Sequence, residues 1–498
     1  MKKLVCLVLA LALVLGMASF TFGTADEEYV KLTWLQNGNP APIDNDLVLE
    51  ELNKISREEV GVECDIIYMS HDQASLSVQS GDLYDMYYTD HGYLQYNLYV
   101  NNGFFANIDG KVQEWTPDLY AMMPENVWDM SRVNGGLYSV PVNKDYAPMQ
   151  FMGYDAQFAL DNGFEIPDVI QSWDEMTDYL VALQAAMNED PSLGTYAMPL
   201  AGGTGACYSG IDRIDSLAQI ACEFGETTVM SEFTMPVVMD HFRILHKWYE
   251  MGLINPDAPT ASSVDIAHGV GFIQAWTGYD WTPGRGHWTK LVRFDGPNLN
   301  PQGIQGAMNA FSIMLEDDEA RFKKAMEYQQ LVNCNKTYRD ILAFGIEGTH
   351  FDYYDVTDDE SGEVLGQVAI RTELGRSNYS PASYTQGNYV ARSIEANIGM
   401  VDGTYPKPVL NQWELYFNDV ANEAVETAIG GFQFDPSAFE NQYAQFNAIK
   451  SEYQNDLHSG AVDPDVVVPE MMDRLYAAGL QDVIDECQRQ LDEFLANK

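Results

Sequence analysis

Patterns typical of strands and of helices alternate along the chain from residue 29 onward, and this alternation limits the fold more than any other feature. Apolar runs predict strands at residues 29–35, 62–68 and 86–88. Leu49, Leu52 and Ile55 lie at helical spacing and predict a helix over about residues 46–59, with Gly61 as its stop. Strands separated by helices pair in parallel through crossovers, so the amino-terminal part is predicted to be an α/β unit.

A second unit is predicted to begin after a strand at residues 137–142. Ser172-Trp173-Asp174-Glu175 has the pattern of a capping box and predicts a helix that runs to about Met187. Further elements are predicted as helices at 236–251, 317–332, 470–478 and 480–496 and as a β-hairpin at 356–370. A chain of 498 residues suggests two or three globular units. Because no repeat or low-complexity linker separates them, we expect units that exchange segments.

The amino terminus has the composition of an export signal. Lys2 and Lys3 precede an apolar run over residues 4–15, which is too short to span a bilayer. Cleavage is predicted after Ala25, with a site near Ala18 as the alternative.

Charge and cysteine content exclude several classes of protein. Lys+Arg 27 against Asp+Glu 74 gives a formal net charge of −47, which repels nucleic acids and anionic lipid surfaces. Once Cys6 leaves with the signal, five scattered cysteines remain without metal-type spacing. Cys207 and Cys222 are candidates for a disulfide, but we expect buried thiols and no disulfide framework.

Signatures of the common enzyme classes are missing from the sequence. It has no G-x-S-x-G elbow, H-E-x-x-H helix, Walker loop or G-x-G-x-x-G turn. Histidine pairs at i, i+4 are also lacking, so we expect no cofactor and no metal. The many carboxylates leave a glycoside hydrolase open as an alternative, although no pair of them stands out.

Aromatic residues beside Asp or Asn near predicted turns are the best candidates for ligand contacts. Flat rings cover the apolar faces of sugar rings, while amides and carboxylates accept hydrogen bonds from hydroxyls. The candidates of this kind are Trp34, Asn37, Trp276, Tyr279, Asp280, Trp281 and Trp413. For each ring, packing in the core is the competing interpretation.

Several segments resemble, in the same order, the sequence patterns of extracellular solute-binding proteins of ABC importers (family 1-like). They are residues 81–86, 102–108, 135–141, 153–155, 167–175, 248–257, 345–351 and 477–491. Residues 345–351, Gly-Ile-Glu-Gly-Thr-His-Phe, are similar to the G-I-E-G-x-H-[YF] motif of the lipoprotein LipO-like subgroup. Members commonly carry a lipid-modified cysteine after the apolar run; Phe20 stands there in this chain, which argues against a lipid anchor.

The resemblance implies an α/β, two-lobed periplasmic-binding-protein type II fold, with lobes discontinuous in sequence and a ligand cleft between them. We expect a signal peptide at 1–25, a first lobe of 26–142 plus about 308–385, and a second lobe of 143–307 plus about 386–498. Thr89, Asp90 and Tyr154 are expected at the cleft by the same resemblance.

The predicted function is a receptor, not an enzyme, that captures a small solute and delivers it to the transmembrane permease of an ABC importer. Aromatic and Asp/Asn residues favour an oligosaccharide as the solute. We expect a monomer, exported to the extracellular face of the cell membrane or to the periplasm. A secreted glycoside hydrolase and a binding protein for a peptide or another non-sugar solute stay open as alternatives.

Overall fold

The computed structural model describes residues 29–38, 40–203, 205, 209–358, 361–381, 394–395, 410, 412–432 and 434–496. The strands are β1 Val30–Asn37, β2 Val62–Met69, β3 Met86–Thr89, β4 Ser139–Pro141, β5 Met149–Asp155, β6 Ile211–Asp215, β7 Ile220–Glu223, β8 Met230–Ser231, β9 Gly271–Ala275, β10 Thr289–Asp295, β11 Asn298–Leu299, β12 Met308–Phe311, β13 Phe351–Thr357, β14 Val364–Arg371, β15 Ile394–Glu395 and β16 Val425–Glu426.

The α-helices are α1 Asn45–Val60, α2 His71–Gln79, α3 Tyr96–Asn101, α4 Lys111–Trp115, α5 Pro117–Ala121, α6 Glu125–Met130, α7 Ala156–Asp161, α8 Thr177–Glu189, α9 Pro236–Glu250, α10 Thr282–Arg285, α11 Pro301–Ile304, α12 Glu319–Cys334, α13 Lys336–Phe344, α14 Glu373–Asn378, α15 Gln412–Glu423, α16 Glu440–Ser459, α17 Pro464–Ala477 and α18 Leu480–Ala496. Within the described ranges, none of them combines the length and apolarity that a bilayer span requires.

A five-stranded sheet of order β2-β1-β3-β12-β4 forms the first body. β1 pairs in parallel with β2 and β3, as the strand–helix alternation predicts. β12 runs antiparallel between β3 and β4, so the chain leaves this sheet after Pro141 and returns to it at Met308. The first body is therefore built from two separate stretches of the chain.

The second body is centred on a three-stranded antiparallel sheet of order β10-β5-β9. On one face, Met152 and Tyr154 of β5 pack with residues of α8 and α9 in a single apolar core. On the other face, Phe151 of β5 shares a core with Tyr416 of α15. Another core joins β7 and α9 to the carboxy-terminal helices α16 to α18. Both faces of the sheet are thus covered.

Most predicted elements are confirmed to within a few residues. The hydroxyl of Ser172 accepts a hydrogen bond from the backbone of Asp174, and Glu175 accepts one from the backbone of Ser172 at 3.0 Å. This box opens a 3-10 turn at Trp173–Met176 that continues into α8. The predicted hairpin is longer than expected, with β13 beginning at Phe351 and β14 ending at Arg371.

Three predictions fall on parts of the chain outside the described residues: the signal peptide, Cys207 and the second lobe boundary near 385–386. Of the cysteines that are described, Cys64, Cys222 and Cys487 are buried, Cys334 is exposed, and all four are free thiols.

Candidate functional site

The segment between β9 and β10 crosses one face of the second sheet. Both strands run antiparallel to β5, so they run in the same direction. Residues 276–288 must therefore cross the full length of the sheet, from the end of β9 back to the end at which β10 begins. Trp281 lies over the sheet at two glycines. A Cβ at Gly153 would lie 2.4 Å from Trp281 Cε3, and one at Gly271 would lie 3.1 Å from its Cη2. The guanidinium of Arg285 covers the same ring, 4.9 Å from its centroid. The glycines therefore make room for the ring that holds this crossover segment in place.

Three aromatic side chains meet where the crossover segment begins, and we call them the aromatic cluster: Trp276, Tyr279 and Trp413. The rings of Trp276 and Trp413 are stacked, with centroids 4.6 Å apart and planes at 27°. Tyr279 meets Trp276 edge to face at 4.8 Å. All three are half-buried. Trp413 comes from α15, more than a hundred residues away along the chain.

The cluster borders a cavity of about 630 Å³, which we call the aromatic pocket. Its walls include Phe151, Asp168, Val169, Trp276, Thr277, Gly278, Tyr279, Asp280, Thr282, Trp288, Thr289, Lys290, Leu291, Arg293, Asp419 and Glu423. This volume is in the usual range of about 300–1,000 Å³ for sites that enclose a small ligand. Apolar rings thus share the pocket with several charged groups.

Charged groups in the aromatic pocket are held in fixed positions by one another. Arg293 is 8% exposed and forms an ion pair with Glu423; its other terminal nitrogen lies 3.6 Å from Asp419. The Thr277 hydroxyl donates a short hydrogen bond to Asp419. Burial, and then the nearby carboxylate of Asp280, raises the pKa of Tyr279, so its phenol stays protonated and able to donate. The pocket offers preoriented acceptors and donors beside the rings.

A second cavity, of about 300 Å³, lies between the loops of the first sheet and the second body, and we call it the interlobe pocket. His91 and Asn97, which follow β3, face Asp212 and Arg213 of β6 across it. Burial raises the pKa of Asp212, although a hydrogen bond from the Thr427 hydroxyl acts against this rise. Polar groups from both bodies therefore line one space.

The structure brings together part of the predicted site and not the rest. Trp276, Tyr279 and Asp280 line the aromatic pocket, and Trp413 stacks at its rim. Trp281 is close in sequence but is not among the residues that line the pocket. It packs on the sheet at Gly153 and Gly271, and its contact with a ligand stays a prediction.

On the first sheet, the prediction that Trp34 contacts a ligand is wrong. Trp34 packs in one apolar core with Val48 and Leu52 of α1, and it is 0% exposed. Its ring meets Tyr328 edge to face at 6.1 Å. The prediction for Tyr154 is also wrong, because its ring is buried against Tyr179, 5.8 Å away, on the helix-covered face of the second sheet.

Thr89, Asp90 and Asn37 lie together at the carboxyl end of the first sheet, where the family resemblance places the cleft. Thr89 is fully buried, with its hydroxyl donating to the carbonyl of Leu94, so a direct ligand contact by Thr89 is wrong. Asp90 Oδ1 accepts hydrogen bonds from the backbone N–H groups of Gly92 and Tyr93, 2.6 and 2.7 Å away. Asn37 ends β1 and is half-buried. Thr89 and Asp90 thus shape the turn that carries His91, and Asn37 stays a proposed contact.

Sequence reasoning missed Arg293, Asp419 and Glu423. No motif marks them, because Arg293 pairs with carboxylates of a helix more than a hundred residues away. One signal was available: Asp419 and Glu423 are spaced i, i+4 on α15, which also carries Trp413.

Two motifs that carry the family resemblance have structural roles. In residues 345–351, the buried His350 accepts a hydrogen bond from the backbone of Ile346 at Nδ1 and faces Asp44 with Nε2 at 3.1 Å. In residues 81–86, Asp85 is 1% exposed and accepts hydrogen bonds from Arg321 at 2.6 and 2.9 Å. These side chains join α13 and β13 to α1, and β3 to α12, rather than contacting a ligand.

Comparisons with known proteins agree with this architecture. Residues 428–496 match a family described as a domain of unknown function, DUF3502. Over 472 residues the chain is 24% identical to a carbohydrate ABC transporter substrate-binding protein of Streptococcus pneumoniae serotype 4, with 92% of this chain and 89% of that protein covered. It superposes on the N-glycan transport solute-binding protein (NgtS) of Streptococcus pneumoniae with a TM-score of 0.75 at 21% identity, covering 94% of this chain and 99% of that one. Against the same protein in complex with Man5GlcNAc, the TM-score is 0.61 at 22% identity, with 94% and 99% covered.

These likenesses show the fold, which is that of the type II periplasmic solute-binding proteins. The resemblance to extracellular solute-binding proteins of ABC importers is thereby confirmed. The individual motifs stay predictions.

Proposed function

We propose that this protein is the substrate-binding receptor of an ABC importer and that it captures an oligosaccharide. The observation that carries the proposal is the aromatic cluster at the rim of a pocket lined by fixed charged groups. Stacked rings present flat surfaces to the C–H faces of pyranose rings, and carboxylates accept hydrogen bonds from sugar hydroxyls. The relatives named above are described as a substrate-binding protein and a solute-binding protein, which supports this function.

The proposed ligand is a neutral oligosaccharide that contains mannose or N-acetylglucosamine. The two structures reported above are of an N-glycan transport solute-binding protein, and one of them is in complex with Man5GlcNAc. The net charge of −47 disfavours anionic sugars, because it repels them over the whole surface.

Delivery requires a change of shape, and we propose that the two lobes close on the ligand. We keep the lobe limits of 26–142 plus about 308–385 and 143–307 plus about 386–498. The interlobe pocket has polar groups on both sides, so a ligand that touches both would favour the closed form.

Residues 1–25 are proposed to direct export of a mature chain that begins at Asp26 and carries no acyl group. The intact mass of the native protein measures this. A diacylglycerol increment would contradict it, and so would retention of Met1.

The test of the pocket is calorimetric titration with Man5GlcNAc and with shorter fragments of it. Tyr279→Ala should weaken binding by about 1–3 kcal/mol, as truncation of a central aromatic anchor does at other interfaces. Tyr476→Ala is the matched control, because this tyrosine is exposed on α17 and lines neither pocket described above. Equal affinities for the two variants would show that the aromatic pocket is not part of the binding site.

The same samples separate the receptor from the alternatives. A receptor returns its ligand unchanged, as judged by mass spectrometry of the recovered sugar. Release of smaller products would favour the glycoside hydrolase, and saturable binding of peptides alone would favour the non-sugar solute.

A further inference from the structure

We propose that Asp155, His268 and His287 form a binding site for a late first-row divalent metal ion, with Zn²⁺ as the preferred ion. The three residues come from separate segments: Asp155 ends β5, His268 precedes β9, and His287 ends the crossover segment just before β10. Asp155 is paired with Thr289 in the sheet, while Met149 at the other end of β5 is paired with Ala275. The site thus lies at the end of the sheet away from Trp276.

The three side chains are already close together. His268 Nδ1 and Asp155 Oδ2 are 2.6 Å apart, and the rings of His268 and His287 are stacked with centroids 4.1 Å apart. One ligand atom from each residue can be chosen such that all three lie within 4.8 Å of one another. A tetrahedral zinc ion with bonds of about 2.0–2.2 Å holds its ligand atoms about 3.4 Å apart. Side-chain shifts of about an ångström would therefore complete the site, with water as a fourth ligand.

His287 gives a second indication of a ligand at this position, independent of the short distances. Its Nε2 is buried and has no hydrogen-bond partner among the described residues. Its ring also interacts with the backbone of Arg285, the type of contact that fixes the tautomer of metal-binding histidines.

The donor set selects the kind of metal. Two imidazoles and one carboxylate suit zinc and its neighbours, whereas calcium and magnesium prefer oxygen donors throughout. Arg285 is a cation close to His287, and its guanidinium donates to the carbonyls of Ala267 and Gly269 at 2.6 Å each. The negative carboxylates of Asp155 and Asp265 attract the Arg285 cation and so offset its positive charge near the proposed site. A bound ion would tie the far end of the crossover segment to β5 and to the segment before β9.

Titration with ZnCl₂ alone tests the proposal. Calcium and magnesium in millimolar excess should be present, because the many surface carboxylates bind cations weakly. The purified full chain should bind one Zn²⁺, and its Tm should rise by about 3 °C or more at saturation. His287→Gln and His268→Gln should each weaken binding at least tenfold, as loss of a ligand does. His71→Gln, which removes an exposed histidine of α2, should leave binding unchanged.

X-ray absorption on the zinc-loaded wild-type protein gives a readout that does not depend on a variant folding. The proposal requires two imidazole nitrogens and at least one oxygen around the metal. Absence of zinc binding in the presence of calcium would overturn it, and so would a spectrum without imidazole or equal affinity in wild type and His287→Gln. Sugar binding is not part of this test, so a negative result for the metal site would not contradict the proposed receptor function, and a negative sugar titration would not contradict the metal site.

Discussion

Gly153→Ala tests how the crossover segment is held, because the new methyl group would enter the space that Trp281 occupies. A Cβ at this position would lie 2.4 Å from Cε3 and 2.6 Å from Cζ3 of that ring. Ordinary contacts between carbon atoms begin near 3.5 Å, so the ring must move by about 1 Å. Overpacking of this kind costs about 1–3 kcal/mol. Trp281 is confined further by Gly271 and Arg285, which favours the upper part of that range.

A double-mutant cycle isolates the contact. In a Trp281→Ala background the methyl group meets no ring, and its nearest neighbour becomes Thr289 Cγ2 at 3.2 Å. Gly153→Ala should then be close to neutral, because this smaller contact is offset by the preference for alanine over glycine within a strand. Urea denaturation followed by circular dichroism gives the free energies of unfolding. Gly92→Ala is the control, because its added methyl meets only Asp90 Oδ1, at 3.5 Å. An equal cost of Gly153→Ala in both backgrounds would refute the described packing of Trp281.

Two further predictions concern stability. Asp85→Asn should lower the free energy of unfolding by about 2–4 kcal/mol in urea denaturation, because it breaks a buried ion pair with Arg321; an unchanged value would show that the pair contributes nothing. Acid should also destabilise the fold, because burial lowers the pKa of His241 to about 4 and that of His458 to about 3. Both values lie below the pKa of an unfolded histidine, so the unfolded chain takes up protons first. The stability contributed by these groups is complete above about pH 6.5. As the pH falls it is lost by about 1.4 kcal/mol per pH unit for each histidine, down to about pH 4 for His241 and about pH 3 for His458. His241→Gln should make this loss shallower, and an identical pH profile would contradict the assignment.

The sequence predicted most of the fold because its strands and helices are marked locally. The capping box at Ser172 and the helix over residues 480–496 are examples, since their signals lie within a few neighbouring residues. The site was harder to predict because its members come from distant segments. The stack of Trp276 on Trp413 depends on how α15 packs against the second sheet, which no local pattern reveals.

Trp34 was predicted to contact a ligand but lies in the apolar core. The predicted strand ended at residue 35, but β1 continues to Asn37, and Trp34 packs in its core with Val48 and Leu52 of α1. The cluster of Asp155, His268 and His287 was missed for the same reason as the stack. Its histidines have no i, i+4 spacing, and three separate segments bring the residues together.

The most direct test of the receptor function is small-angle X-ray scattering of the protein with and without Man5GlcNAc, followed by recovery of the sugar. A receptor that closes its lobes on an oligosaccharide should show a smaller radius of gyration at saturation and should return the sugar intact. An unchanged radius at saturation, or a sugar recovered in smaller pieces, would contradict the account.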